Sequence, residues 1–179
     1  MAGLSSELRK LLSSSEPPYP APKHRPGTLS IAEIDRQLKP LFNKASPTQQ
    51  LISATLYLWH DHLDEAHSLA LEIETSDGSY VHGIMHRREP DYSNARYWFK
   101  RVGKHPCFVQ LAKRAREIVA SESIPHLTAL TKSTQWDPYA FIDACEHAAQ
   151  TQNAAEIKQL RQIQAAELEL LLERFTTNL

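Results

Sequence analysis

AAEIKQLRQIQAAELELLLERF, residues 154–175, is the stretch whose reading decides the fold. It consists almost wholly of Ala, Leu, Glu, Gln, Lys and Arg, which lose little rotamer freedom in a helix, and it has neither glycine nor proline. Ile163, Leu168, Leu171, Leu172 and Phe175 are among its apolar positions, and they need a partner surface. The same composition recurs in the other long segments. Only 5 glycines occur in the chain, and no short run alternates apolar and polar residues with β-branched enrichment. The expected fold class is therefore all-α: a single compact bundle of about seven helices, with no sheet.

Working back from that helix, Asp137-Pro138 is an N-cap followed by a proline in the first turn, opening a helix over 139–150. Pro106 opens another, to about Ala120. Asp91 caps a helix packed through Tyr92, Ala95, Tyr97, Trp98, Phe99 and Val102 and closed by Gly103. Ser79 to Arg88 reads as helix ending before Pro90, with a turn at Asp77-Gly78 ahead of it. Ser46-Pro47-Thr48-Gln49 starts a helical pattern expected to run to about Ile73, bent near Trp59. Ser30 with Glu33 fits a capping box, for a helix presenting Ile31, Ile34 and Leu38. Residues 4–13 predict a short amphipathic helix through Leu4, Leu8, Leu11 and Leu12. Pro17, Pro18, Pro20, Pro22 and Pro26 then force an extended strap. The expected organisation is a Pro-rich N-terminal extension, 1–28, followed by one helical domain, 29–179.

The formal net charge of -1 favours neither nucleic acid nor a membrane surface. No apolar run is long enough to span a bilayer. The first residues lack the basic and apolar regions of a secretory signal. Two cysteines, Cys107 and Cys145, are too few for a disulfide framework. The expected location is cytoplasmic, with no nucleic-acid or membrane partner.

Two triads carry the candidate chemistry: His60, Asp64, His67 and His82, His86, Glu89. Each has the spacing i, i+4, i+7, which on an ideal helix confines three side chains to a sector of about 60°. Histidine and carboxylate bind metals and move protons near neutral pH. Two such rows on packed helices are how bundles build metal sites. All six residues are candidate ligands for a divalent metal, with zinc, iron or manganese as the cofactor the pattern admits. His60, His67, His82 and His86 are the candidate catalytic groups. The carboxylates could instead orient a ligating histidine through its other nitrogen. The competing reading is structural: such pairs are commonly hydrogen bonds within a core.

Arg87 and Arg88 are the candidate holders of a substrate anion, because guanidinium forks bind carboxylate and phosphate. Arg96, Lys100, Arg101 and Lys104 stand nearby in sequence and could line the same pocket. The alternative is that Arg87 or Arg88 pairs with the acidic stretch Asp61–Asp77, which holds six acids and no Lys or Arg. The functional expectation is a metal-dependent or acid/base enzyme acting on a small anionic ligand. The rival is a non-catalytic helical interaction module with structural histidines.

Three resemblances bear on this. His60-Asp61 resembles the doublet of the HD-type metal phosphohydrolases, an all-α family that also needs an upstream histidine ligand. The only upstream histidine here is His24, in the Pro-rich strap. Tyr92, Ala95, Phe99 and Val102, with Pro106 behind them, resemble the second helix of a tetratricopeptide repeat, although the first-helix signature is missing. WHDHLDEAH (59–67), HRREPDYSNARYWF (86–99) and WDPYAFID (136–143) resemble segments of a family of uncharacterised all-helical proteins from bacteria and fungi. That likeness implies one helical domain and brings no activity with it.

Overall fold

Ser5, Ser30, Ser46, Thr75, Asp91, Asp137 and Asn153 each accept a hydrogen bond from a backbone N–H two or three residues on, and each starts a helix. In the computed structural model, residues 5–13, 16–21, 25–42, 46–120, 124 and 127–177 are described. Leu4, Pro22 and His24 lie outside them. Among the described residues the helices are α1 (Ser6–Leu11), α2 (Ile31–Leu38), α3 (Pro47–Trp59), α4 (Leu63–Leu71), α5 (Ser76–Arg88), α6 (Tyr92–Val102), α7 (Cys107–Ala120), α8 (Pro138–Thr151) and α9 (Ala154–Thr176). Single 3₁₀ turns lie at Lys39–Leu41 and Leu127–Thr131, and no strand occurs among the described residues. None of these helices is long and apolar enough to cross a membrane.

The helix count exceeds the expected seven chiefly at one point. The pattern from residue 46 to 73 is two helices, because α3 ends at Trp59 and Asp61 adopts a left-handed φ of 69°. That conformation is costly for most residues and tolerated by aspartate. α4 then begins at Leu63, and the His62 side chain ahead of it makes no capping hydrogen bond.

The expected turn at Asp77-Gly78 is also corrected. Thr75 is the N-cap, and Asp77 and Gly78 sit in the first turn of α5. Glycine is needed at 78 for a close approach: a Cβ there would lie 2.1 Å from the Ile73 carbonyl oxygen.

α5 is the central helix. Every residue from Gly78 to Arg88 is buried, which fits its neighbours α3, α4 and α6. α9 closes the opposite side against α3, α7 and α8. The apolar interior is one contiguous cluster running from Leu8 and Leu11 through α3, α5 and α7 to Phe175.

The described part of the Pro-rich segment is bound to this domain by its carbonyl groups. Proline has no N–H, so such a segment offers mainly acceptors. Arg161 donates to Pro17 O from Nε (3.0 Å) and Nη2 (2.8 Å). Gln164 Nε2 donates to Pro18 O (3.2 Å) and Tyr19 O (2.9 Å). Arg88 Nε also donates to Tyr19 O, at 2.9 Å.

Candidate metal centre

The short connection between α4 and α5 makes a helical hairpin, and it brings His67 of α4 against His82 and His86 of α5. The His67 ring meets His82 edge-on at 4.6 Å between centroids and His86 at 5.4 Å. His82 and His86, one turn apart on α5, stack at 4.8 Å. One ligand nitrogen from each ring lies within 4.8 Å of the others. Tetrahedral zinc, with nitrogens at about 2.0–2.1 Å, sets them about 3.3 Å apart. Contraction on a side-chain scale closes the set.

The electrostatics favour neutral imidazoles. Burial lowers the pKa of His82 to about 3, helped by the neighbouring His86 and His67. Burial also lowers His86, against an opposing pull from Glu89. A neutral ring keeps the lone pair that a metal uses. His82 is 1% exposed, and its Nδ1 is buried without a hydrogen-bond partner. A buried polar atom of this kind costs free energy unless something fills its coordination.

The surroundings are specific. His86 Nδ1 lies 3.2 Å from Glu89 Oε2. An ionised carboxylate can only accept, so this nitrogen carries the proton and Nε2 keeps its lone pair. Asn94 Nδ2 donates to Nε2 at 3.1 Å, with Nδ1 at 3.4 Å. Trp98 of α6 stacks on His82 at 3.8 Å and covers that side. The Arg101 guanidinium stands 5.3 Å from the centroid of the same indole.

Three of the six expected ligands therefore converge, and a fourth, Glu89, holds one of them from outside. His60 and Asp64 do not join. The i, i+4, i+7 argument assumed one helix through His60, Asp64 and His67, whereas the break at residues 60–62 removes His60 from the row. His60 is fully buried, with Nε2 donating to Leu11 O (2.7 Å) and Nδ1 accepting from Leu29 N–H (3.1 Å). Both nitrogens are occupied and burial lowers its pKa, so it ties the N-terminal segment to α3. Asp64 is exposed on α4.

Arg87 and Arg88, expected to hold a substrate anion, are both 0% exposed and face carboxylates of the protein. Arg87 pairs with Glu167 of α9, donates to Gln164 Oε1 at 3.2 Å, and stacks 4.3 Å from the Phe141 ring centroid. Tyr80 donates to the same Glu167 at 3.0 Å. Arg88 Nη2 donates to Asp61 Oδ1 at 2.7 Å and Nη1 to Leu58 O. Arg25 Nε donates to Asp61 Oδ2 at 2.9 Å, and its Nη2 to Trp59 O. Two guanidiniums thus satisfy the last carbonyls of α3, where the helix dipole favours positive charge. Burial brings Arg88 down to about 10 against the pull of Asp61, which leaves it charged at neutral pH. With Asp61 so engaged and His60 bound to backbone, the His-Asp doublet offers no metal site.

Asn94 and Glu167 were not among the residues singled out for the site. For Glu167 a signal existed: an acid four residues after Ile163 and seven after Leu160, on the apolar face of α9, implies a buried cation. His105 is structural, with Nε2 2.8 Å from Asp77 Oδ1 and Nδ1 accepting from Cys107 N–H. Burial pushes the Cys107 and Cys145 thiols up to about 12, far from a reactive thiolate. In comparisons with known proteins, no family model, curated protein or solved structure matches this chain.

Proposed function

We propose that His67, His82 and His86 bind a divalent transition metal, and that the chain is a metal-dependent or acid/base enzyme acting on a small anionic substrate. The observation that carries the reading is the convergence of three imidazoles, with the His82 Nδ1 buried and unpartnered. Imidazole donors suit zinc ahead of iron or manganese. Three protein ligands leave a further position for water, and a bound ion supplies hydroxide near neutral pH. In this reading Glu89 fixes the His86 tautomer, Asn94 releases Nε2, and Trp98 keeps water off the His82 face. We also propose membership of the all-helical family suggested by segments 59–67, 86–99 and 136–143.

The test is a set of thermal melts on protein made without a His-tag, with and without zinc, manganese or iron, before and after chelation. Bound metal raises the midpoint by mass action. The expected outcome is a metal-dependent rise that His67→Ala and His86→Ala each abolish. No rise, together with no metal in the purified protein, ends the metal reading.

The second reading is the non-catalytic interaction module built of tetratricopeptide-like helix pairs. It is favoured by His60 and His105, whose ring nitrogens are all hydrogen-bonded within the fold.

A further inference from the structure

With Arg87 and Arg88 buried against their own carboxylates, the cations that remain to meet an anion are found elsewhere. Arg96 pairs with Asp143, and Arg114 with Glu169 and Glu173. Arg101 lies over Trp98, and Arg116 donates to Ser133 O. Of the nine Lys and Arg between residues 85 and 116, that leaves Lys100, Lys104 and Lys113. Lys100 and Lys104 both line one cleft of about 960 Å³ between the end of α6, the start of α7 and the start of α8. That volume is within the range of small-molecule sites. No residue of the histidine cluster lines it.

The cleft joins charge to flat apolar walls. Trp136, Phe108 and the 38% exposed Tyr139 form its aromatic side. Trp136 is 4% exposed, and its indole N–H finds no acceptor. The acid in the lining, Asp137, spends its Oδ1 on the Tyr139 and Ala140 N–H groups at the start of α8. Lys100 lies in the last turn of α6 and Lys104 just past Gly103, whose positive φ ends that helix, so two cations border the same cleft.

We infer that this cleft is a binding site for a small molecule carrying an oxyanion group, phosphate or carboxylate, on an aromatic ring, with Lys100 and Lys104 taking the anion and Tyr139 and Trp136 flanking the ring. The inference is independent of the metal reading.

Isothermal titration calorimetry on the full chain, in chelator, tests it with phenyl phosphate as probe and inorganic phosphate and phenol as its two halves. Saturable binding of phenyl phosphate is expected, with each half about tenfold weaker or worse, because each lacks one set of contacts. Lys100→Ala/Lys104→Ala is expected to weaken phenyl phosphate about tenfold at an unchanged melting midpoint. Tyr139→Ala is expected to weaken phenyl phosphate and leave inorganic phosphate alone. No saturable binding at millimolar probe, or double-variant affinity within about twofold of the parent, overturns the site.

Discussion

Asp61 shows how one residue holds several parts of the molecule. Its left-handed backbone turns the chain between α3 and α4, and its carboxylate receives Arg25 and Arg88. Removing one partner of a buried ion pair leaves uncompensated charge and costs about 3–5 kcal/mol. Asp61→Ala is therefore expected to lower unfolding stability by about that much in a urea titration. Asp61→Asn keeps the backbone preference and isolates the charge, so a loss similar to that of alanine is expected. A small loss for both places the weight elsewhere. The histidines set a pH dependence. His82 is held near 3 and His60 is also lowered, both by burial. An unfolded histidine titrates near 6.5. Below that value the unfolded chain takes protons that the native state refuses, so stability falls as pH drops from about 6.5 toward 3 and is unaffected by these groups above it. Asp77 adds a later loss. Burial works to raise its pKa, yet hydrogen bonds from His105 and Arg174 hold it at about 2, so its contribution goes as pH falls below about 4. In chelator, the melting midpoint at pH 5 should lie below that at pH 7.5, and equal midpoints contradict the burial argument.

At the scale of elements, helix starts were legible because capping is local chemistry. Ser30, Ser46, Asp91 and Asp137 were readable from the residue and its next three neighbours, and so was the closing role of Gly103. The break at residues 60–62 was legible only as a bend near Trp59, not as the end of one helix and the start of another. It depends on Arg25 and Arg88 arriving from distant segments, and nothing in WHDHLDEAH interrupts a helix by itself. The candidate site inherits both facts: the row on one unbroken helix, His82–His86–Glu89, kept its spacing, and the row across the break lost His60. Glycine 83 illustrates packing that no local pattern reveals. A Cβ there would lie 2.9 Å from Phe99 Cδ2 and Cε2. Phe99 is 1% exposed and stacks edge-on with Tyr80, so it has little room to yield. Gly83→Ala gains helix propensity of up to about 1 kcal/mol and meets an overpacking cost of about 1–3 kcal/mol. The expected result is net destabilisation, read as a lower urea midpoint at an unchanged slope. A stabilised variant means that α5 and α6 separate more easily than their burial implies.

Across the whole molecule, α8 and α9 are part of the core and not an appendage. Phe141 and Ile142 are fully buried, and Glu167 supplies the counter-charge that keeps Arg87 inside. Ending the chain at residue 135 removes that carboxylate and strands a buried guanidinium. The truncated chain is expected to lose its cooperative melt, and retention of a transition at the parent midpoint argues against a single core. The strap has a consequence of its own for the order of events in the cell. Pro17 is held by Arg161, 144 residues further along the chain. At ribosomal rates of about 5–20 residues per second, the strap emerges on the order of ten seconds before its anchors exist. Through that interval residues 16–21 have no docking surface from α9, and final closure waits for the C-terminal helix to clear the exit tunnel. Synthesis runs from strap to anchor, while assembly finishes by joining the two.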